Sequence, residues 1–200
     1  PQVIKFDNDE GECTFKLTFE FNFVGKVVDI LDSSHIDNPQ IYSNFIFCIC
    51  YIFEKLSKNQ LKTPIGGVPL VSIPLPIIHR YLESNDFIVL LPVLRCFRQI
   101  LLSWHGGIQS CLPKEIFDRI VDILHTSFQF DDDMGSILKE ILKIINVFIY
   151  HFINEIDIVS PIIHGFFVQM EKTPPCHPEI IKSLGLIAKY DSVSQILVDH

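Results

Sequence analysis

One spacing of apolar residues recurs four times along the chain and predicts four long helices. Counted from the polar residue that starts each stretch, apolar side chains return after 4, 8, 11 and 15 positions. Steps of 4, 3 and 4 place side chains on one face of an α-helix, so each stretch is expected to bury that face. The starts are Asn38, Asn85, Asp133 and His177, and the stripes are Tyr42, Ile46, Ile49 and Phe53; Val89, Val93, Cys96 and Ile100; Ile137, Ile141, Ile144 and Phe148; and the shorter Ile181, Gly185 and Ala188.

A shorter apolar helix is predicted before each long one, which makes four helix pairs. The long helices start 47, 48 and 44 residues apart, and a period of this length indicates a helical repeat. Asn38 followed by Pro39 and the polar run 84–86 are typical helix starts. Pro92 falls inside the second long helix and is expected to kink it, because an interior proline removes one backbone hydrogen bond.

Residues 3–23 follow a different pattern, which predicts a short β-hairpin. The apolar residues of its second half alternate strictly with mostly polar ones, which is the period of a half-buried strand. The acidic, glycine-containing link at 7–12 suits a turn. Two roles remain open for this hairpin, a cap on the end of the helical repeat or a piece of a neighbouring domain. The alternating residues are Cys13, Phe15, Leu17, Phe19, Phe21 and Phe23.

Composition is compatible with a membrane protein, but the longest uncharged runs are not. The chain is 48% hydrophobic with a mean hydropathy of +0.32, which fits either a membrane-embedded chain or helices buried against many neighbours. The run 63–79 contains four prolines, and the run 39–53 carries Gln40, Ser43 and Asn44. A membrane-spanning helix needs about 20 predominantly apolar residues, so the second explanation is favoured.

The net charge and the cysteine spacing indicate which partners and which cellular compartment to expect. A net charge of −8 and a pI of about 5.4 argue against nucleic acid, whose phosphates attract clustered Lys and Arg. The six cysteines have no framework spacing, so free thiols in a reducing compartment are expected. Because the chain starts at Pro1 without a signal or transit segment, we expect an excerpt of a longer protein. The expected compartment is the cytoplasm, with the nucleus as the alternative.

The repeated order of short helix, polar turn and long helix resembles the armadillo and HEAT superfamily of α-solenoids, over residues 24–200. The stretch 158–200 is the most similar, and Gly185 and Ala188 stand where that family often keeps small residues so that helices approach closely. The resemblance implies an all-α fold, a right-handed α-solenoid of about four units with residues 1–23 before it. It also implies that the long helices line a groove, but it does not imply nuclear-import activity.

The side of the long helices opposite the stripes is the candidate binding face. Positions 6, 10 and 13 after each start point away from the buried side, and the resemblance places them in a groove for a partner. Arg, Lys and Asn on this face suit an extended acidic or phosphorylated segment, whereas the alternative is an ordinary solvated surface. The candidate binding residues are Asn44, Tyr51, Arg95, Arg98, Lys139, Lys143, Asn146 and Tyr190, and Cys48, Leu91, Ser183 and Ile187 share the face.

No residue set in the sequence indicates catalysis, a cofactor or a metal. The histidines at 79, 105, 125 and 151 come at the ends of predicted helices and lack a zinc-binding spacing; an interaction with the helix dipole explains them better. The sequence has no phosphate-binding loop and no nucleophile motif. We therefore expect a non-enzymatic interaction scaffold or regulatory subunit that binds a protein or peptide. The alternatives are a non-catalytic segment of a large enzyme and a membrane-surface or transport adaptor.

The binding face makes a testable prediction. Replacing Arg95, Arg98 and Lys143 together by Glu should abolish capture of an acidic partner, because the reversed charges would repel it. Affinity capture measures the loss, and circular dichroism checks that the helices remain. Unchanged capture would contradict the prediction.

Overall fold

A computed structural model describes residues 9–33, 38–84, 86–103, 114–125, 132–152, 156–172 and 177–189. Helices hold 86% of these residues, so the helical class is confirmed. The chain divides into two compact units, residues 1–108 and 109–200, and each is described by itself. Within the described residues, no helix is both long enough and apolar enough to cross a bilayer.

The first unit contains six α-helices in its described residues, and two short connecting motifs. The helices are α1 (Asp9–Phe15), α2 (Phe23–Ser33), α3 (Pro39–Lys55), α4 (Lys58–Leu61), α5 (Leu75–Leu82) and α6 (Phe87–Ser103). A π-helical turn, Lys16–Glu20, joins α1 to α2. Between α4 and α5, strands β1 (Pro64–Ile65) and β2 (Val68–Pro69) form a two-residue hairpin, followed by the 3-10 turn Leu70–Ser72.

The starts of both long helices of this unit were predicted correctly. The Asn38 side chain accepts a hydrogen bond from the Gln40 backbone N–H at 3.0 Å, and Pro39 occupies the first turn, where no N–H is required. The Asp86 carboxylate accepts from the Ile88 N–H at 2.9 Å. Helix α6 then runs through Pro92 without a break in its assignment, and the kink itself stays a prediction.

Equivalent helices of the two pairs contact each other in the first unit. Helix α2 packs on α5 and α3 packs on α6, while α5 and α6 also contact one another. The Cys50 thiol lies 3.7 Å from the Pro92 carbonyl oxygen, and the Gln99 amide donates to Glu54 at 3.0 Å. These pairs are 42 and 45 residues apart in sequence, close to the repeat spacing. The Arg80–Asp32 ion pair, 48 residues apart, joins α2 to α5 in the same way.

The second unit contains two further helix pairs, built on the same plan. Its helices are α7 (Lys114–His125), α8 (Asp132–Phe152), α9 (Ile156–Lys172) and α10 (His177–Ile187). Helix α7 contacts α9, and α8 contacts α10. As in the first unit, the first helices of the two pairs contact each other, and so do the second helices. The buried Gln169 side chain donates to the Leu124 carbonyl at 2.5 Å, which satisfies an acceptor at the end of α7 that the helix itself leaves open.

Three of the four predicted stripes form core, and the fourth was wrong. The residues predicted for α3, α6 and α8 are buried apart from Tyr42, which is half-buried against Tyr81. In α10, however, Ile181 is 58% exposed, while Ile180, Ser183 and Ile187 are fully buried. Both sets obey helical spacing. The second set removes two isoleucines from water instead of one, and greater apolar burial decides the orientation.

The predicted N-terminal hairpin was also wrong where the structure describes it. Residues 9–20 are helical, with Phe15 and Phe19 stacked at 4.7 Å between ring centroids; residues 1–8 lie outside the described part. Thr14 and Thr18 are buried instead, and the Thr18 hydroxyl donates to the Thr14 carbonyl at 2.8 Å. A helix satisfies its backbone polar groups locally, whereas a strand here would need a neighbouring strand to pair with.

The close helix approach lies at a different glycine from the predicted one. Gly185 is exposed, with nothing within 4 Å of the position a Cβ would occupy, and Ala188 is exposed in a turn. At Gly165 of α9, a Cβ would lie 2.6 Å from the Leu124 side chain and 2.8 Å from that of His125. Gly165 is therefore the position at which the close packing of α7 and α9 leaves no room for a side chain.

Alanine substitutions at these two glycines should change the stability of the chain in opposite directions. Gly165→Ala should lower the free energy of unfolding by about 1–3 kcal/mol, because Leu124 is fully buried and must shift. The matched Gly185→Ala change should instead stabilise by roughly 0.5–1 kcal/mol, since it reduces backbone freedom in the unfolded chain without a clash. Urea unfolding followed by circular dichroism measures both. Equal effects would contradict the assigned contact at Gly165.

Candidate functional site

A concave cleft in the first unit gathers apolar side chains from four elements. Its volume is about 570 Å³, within the range of protein ligand sites. Leu17 comes from the π-helical turn, Phe23 from α2, and Arg95 from α6, while α3 supplies the largest share, including Phe47, Cys48 and Tyr51. The cleft therefore depends on the packing of the N-terminal segment as well as on the long helices.

Helix α3 presents one face to the core and another to the cleft. Ile46, Ile49 and Phe53 are buried, and their steps of 3 and 4 define the core face. Phe47 and Tyr51 lie one turn apart on a different face, and they are 39% and 47% exposed. Large apolar side chains grouped in a concave, exposed site are typical of binding surfaces.

Two cationic side chains contact aromatic rings of this site. The Arg95 guanidinium lies 5.9 Å from the centroid of Phe47, and the Lys55 ammonium lies 5.2 Å from that of Tyr51; both are cation–π distances. Within the described residues, Arg95 forms no ion pair. The carboxylate of Glu54, which also lines the cleft, accepts the hydrogen bond from Gln99.

Three thiols surround the α3–α6 contact. Cys48 is exposed in the cleft, whereas Cys50 and Cys96 are buried. A hydrogen bond with the Cys50 thiol, together with burial, raises the pKa of Cys96 well above its usual value. Cys96 therefore stays protonated at neutral pH and serves as a packing residue.

The structure places two of the predicted binding residues, Tyr51 and Arg95, in the cleft. Asn44 is exposed on α3, where its side chain accepts a hydrogen bond from Gln40 at 3.1 Å, and it does not line the cleft. Arg98 is half-buried on α6, also outside the lining. The sequence analysis missed Leu17, Phe23 and Phe47, because the first two lay in the presumed hairpin and the third lies between the two faces assigned to α3.

The second unit holds the remaining predicted binding residues. Lys139 is exposed, and Lys143 forms an ion pair at 2.7 Å with Glu140, whose carboxylate is only 6% exposed. The Asn146 side-chain oxygen is buried without a hydrogen-bond partner among the described residues. Tyr190 lies outside them. Because Lys143 offsets a nearly buried carboxylate, its reversal to Glu would destabilise α8, and Arg95 alone is the better test of binding.

Two further residues predicted to share the binding face are buried. Ser183 and Ile187 have no exposed surface, as a result of the changed orientation of α10. The Ser183 hydroxyl donates to the Glu179 carbonyl of the preceding turn at 2.9 Å, so it is satisfied within its own helix. The outward face predicted for α10 is therefore wrong.

The histidines that the structure describes do not assemble a metal centre. Among the described residues, no three His, Cys, Asp or Glu side chains are grouped as metal ligands would be. His79 and His125 do lie in the last turns of α5 and α7. His125 Nε2 lies 2.8 Å from the Pro161 carbonyl of α9, so its contact is with the neighbouring helix. His105 and the side chain of His151 lie outside the described part.

Comparison with known proteins yields no relative: no family model, no curated protein and no solved structure matches this chain. The function must therefore be argued from the cleft itself. Its lining combines exposed aromatic rings, aliphatic side chains, the Glu54 carboxylate, which is hydrogen-bonded to Gln99, and Arg95, which forms no ion pair among the described residues. That chemistry suits recognition of a surface that carries apolar groups and a carboxylate.

The arrangement of thiols makes a prediction about reactivity. In the native protein, Cys13 and Cys48 should react with a thiol reagent such as DTNB much faster than Cys50 and Cys96, because the first two are exposed and the other two buried. Peptide mass spectrometry after brief labelling identifies the modified residues. Cys48→Ser should remove the fast site in the cleft. Equal labelling of Cys48 and Cys96 would contradict the described α3–α6 contact.

Proposed function

We propose that this chain is a protein-interaction module of armadillo or HEAT type, a right-handed solenoid of about four helix pairs that binds a segment of a partner protein. Two observations support the repeat. In each unit, like helices contact each other, and the contacting residues of the first unit are separated by 42 to 48 positions. Within each unit, one pair therefore packs its second helix on that of the other pair, and the opposite face is left for a partner.

The cleft of the first unit is the observation that carries the binding function. Tyr51 and Phe47 are both substantially exposed there, although each would gain a large apolar contact if covered. Aromatic and Arg side chains dominate the binding energy of protein interfaces, and the cleft offers Phe47, Tyr51 and Arg95 together.

The charge of the cleft indicates the kind of segment that binds. Arg95 has no acidic partner among the described residues, although the chain carries a net charge of −8. A carboxylate or phosphate on the partner would complete this site through a charge-assisted hydrogen bond. The partner segment is therefore apolar with at least one acidic or phosphorylated residue, and the module acts by binding it.

A pair of matched substitutions tests this function. Tyr51→Asp should weaken partner binding by at least about 30-fold, since it replaces an aromatic anchor by a charge in an apolar cleft. Asn44→Asp adds the same charge two turns earlier on α3, outside the cleft, and should have little effect. Quantitative mass spectrometry of proteins captured from a native lysate compares the two variants.

The stability of both variants is measured first, by thermal unfolding. If Tyr51→Asp folds as the parent chain does and still captures the same proteins as Asn44→Asp, the cleft is not the binding site. Loss of specific proteins with Tyr51→Asp alone supports the function.

A further inference from the structure

We infer that the partner segment binds the cleft as an amphipathic α-helix, with its apolar side chains against Phe47 and Tyr51 and a carboxylate on Arg95. This inference rests on the proposed function and specifies its ligand. It replaces the extended segment expected from the sequence, because most of the lining lies inside helices whose backbone groups are already paired.

Most of the lining of the cleft has no free backbone groups to offer. Phe47 to Ile52 lie inside α3, and Arg95 lies inside α6, so their N–H and C=O groups are used within those helices. Leu17 lies in the π-helical turn, which is closed by the Phe21 N–H bond to the Lys16 carbonyl at 3.2 Å. The exceptions are at helix ends, where Phe23 begins α2 and Glu54 lies in the last turn of α3. The cleft therefore presents mainly side chains.

An extended ligand would lose hydrogen bonds in such a cleft. Its backbone groups would leave water for a mostly apolar lining, and an unpaired buried amide is costly. Side-chain amides could compensate, but Asn44, the candidate on α3, lies outside the lining and is bonded to Gln40. A helical ligand pairs its own backbone and exposes only side chains, which is what this lining can bind.

The dimensions of the site agree with a short helix. The lining on α3 extends from Phe47 to Glu54, which at 1.5 Å per residue is about 10 Å, or about two helical turns. A bound helix would place anchors at positions i, i+3 or i+4, and i+7 over that distance.

The charges of the cleft determine one further feature of the ligand. The carboxylate of Glu54 already accepts a hydrogen bond from Gln99. Arg95 stacks on Phe47 and has no ion pair within the described residues. An Asp or Glu flanking the apolar anchors would meet the guanidinium, so Arg95 determines the preference for an acidic helix.

Peptide selection tests the inference without a known partner. A phage library of random 16-residue peptides is selected on the full chain and counter-selected on Tyr51→Asp. The enriched peptides should carry apolar residues at i, i+3 or i+4, and i+7, with a neighbouring Asp or Glu. A proline placed in the middle of a selected peptide should abolish its binding, measured by fluorescence anisotropy, because it breaks the helix.

Two arginine variants test the acidic preference. Arg95→Ala should weaken binding of a selected peptide about tenfold, as expected for loss of a charge-assisted hydrogen bond. Arg98→Ala removes the same charge from the same helix outside the cleft, and should leave the affinity unchanged. Replacing the acidic residue of the peptide by its amide should have the same effect as Arg95→Ala and no added effect in that variant.

The possible results distinguish the inference from the function on which it rests. Enriched peptides with alternating apolar residues, or peptides that tolerate the central proline, would overturn the helical ligand and leave the cleft as a binding site. Failure to enrich any peptide over the Tyr51→Asp counter-selection would overturn both. Concentration-dependent self-association of the chain that Tyr51→Asp abolishes would show that a second copy occupies the cleft, and would also overturn the inference.

Discussion

In the first unit, the packing of the long helix α3 on the long helix α6 is the constraint on which the described structure depends. Helix α3 buries Ile46, Ile49 and Phe53, and the resulting contact with α6 fixes which face of α3 is left over. Phe47 and Tyr51 are exposed because the neighbouring face of α3 is the one that packs in the core. The cleft is therefore a consequence of the α3–α6 contact, since a helix that packs one face on a neighbouring helix must present another face outward.

Local signals in the sequence were sufficient for most of the helices. Asn38 and Asp86 cap their helices through side-chain hydrogen bonds that span two residues, so their effect can be derived from the sequence alone. The stripes of α3, α6 and α8 were predicted for a similar reason, because apolar residues recur along each of these helices at helical spacing. In α10, two faces were compatible with helical spacing, and only the contacts with α8 and α9 could choose between them.

The N-terminal segment and the cleft were harder to predict because they depend on contacts distant in sequence. Alternating aromatic residues suggested a strand at 13–23, yet the described residues 9–20 are helical and bury Thr14 and Thr18. With that segment misassigned, Leu17 could not be recognised as part of a binding site. Tyr51 and Arg95 were chosen as candidate binding residues by their position opposite the core stripe, but the sequence could not show that they meet in one cleft.

The prolines inside α6 and α9 each contact a neighbouring helix of their own unit, and the contact of Pro92 in α6 involves a residue of the cleft. The carbonyl of Pro92 meets the Cys50 thiol of α3, and the carbonyl of Pro161 meets the His125 ring of α7. In each unit, then, the later of two like helices offers a proline carbonyl to a side chain of the earlier one. Cys50 also lines the cleft, so the contact that holds α3 against α6 is continuous with the binding surface. A change in the spacing of these two helices would move Phe47 and Tyr51 relative to Arg95, and the shape of the cleft therefore depends on the packing of α3 on α6.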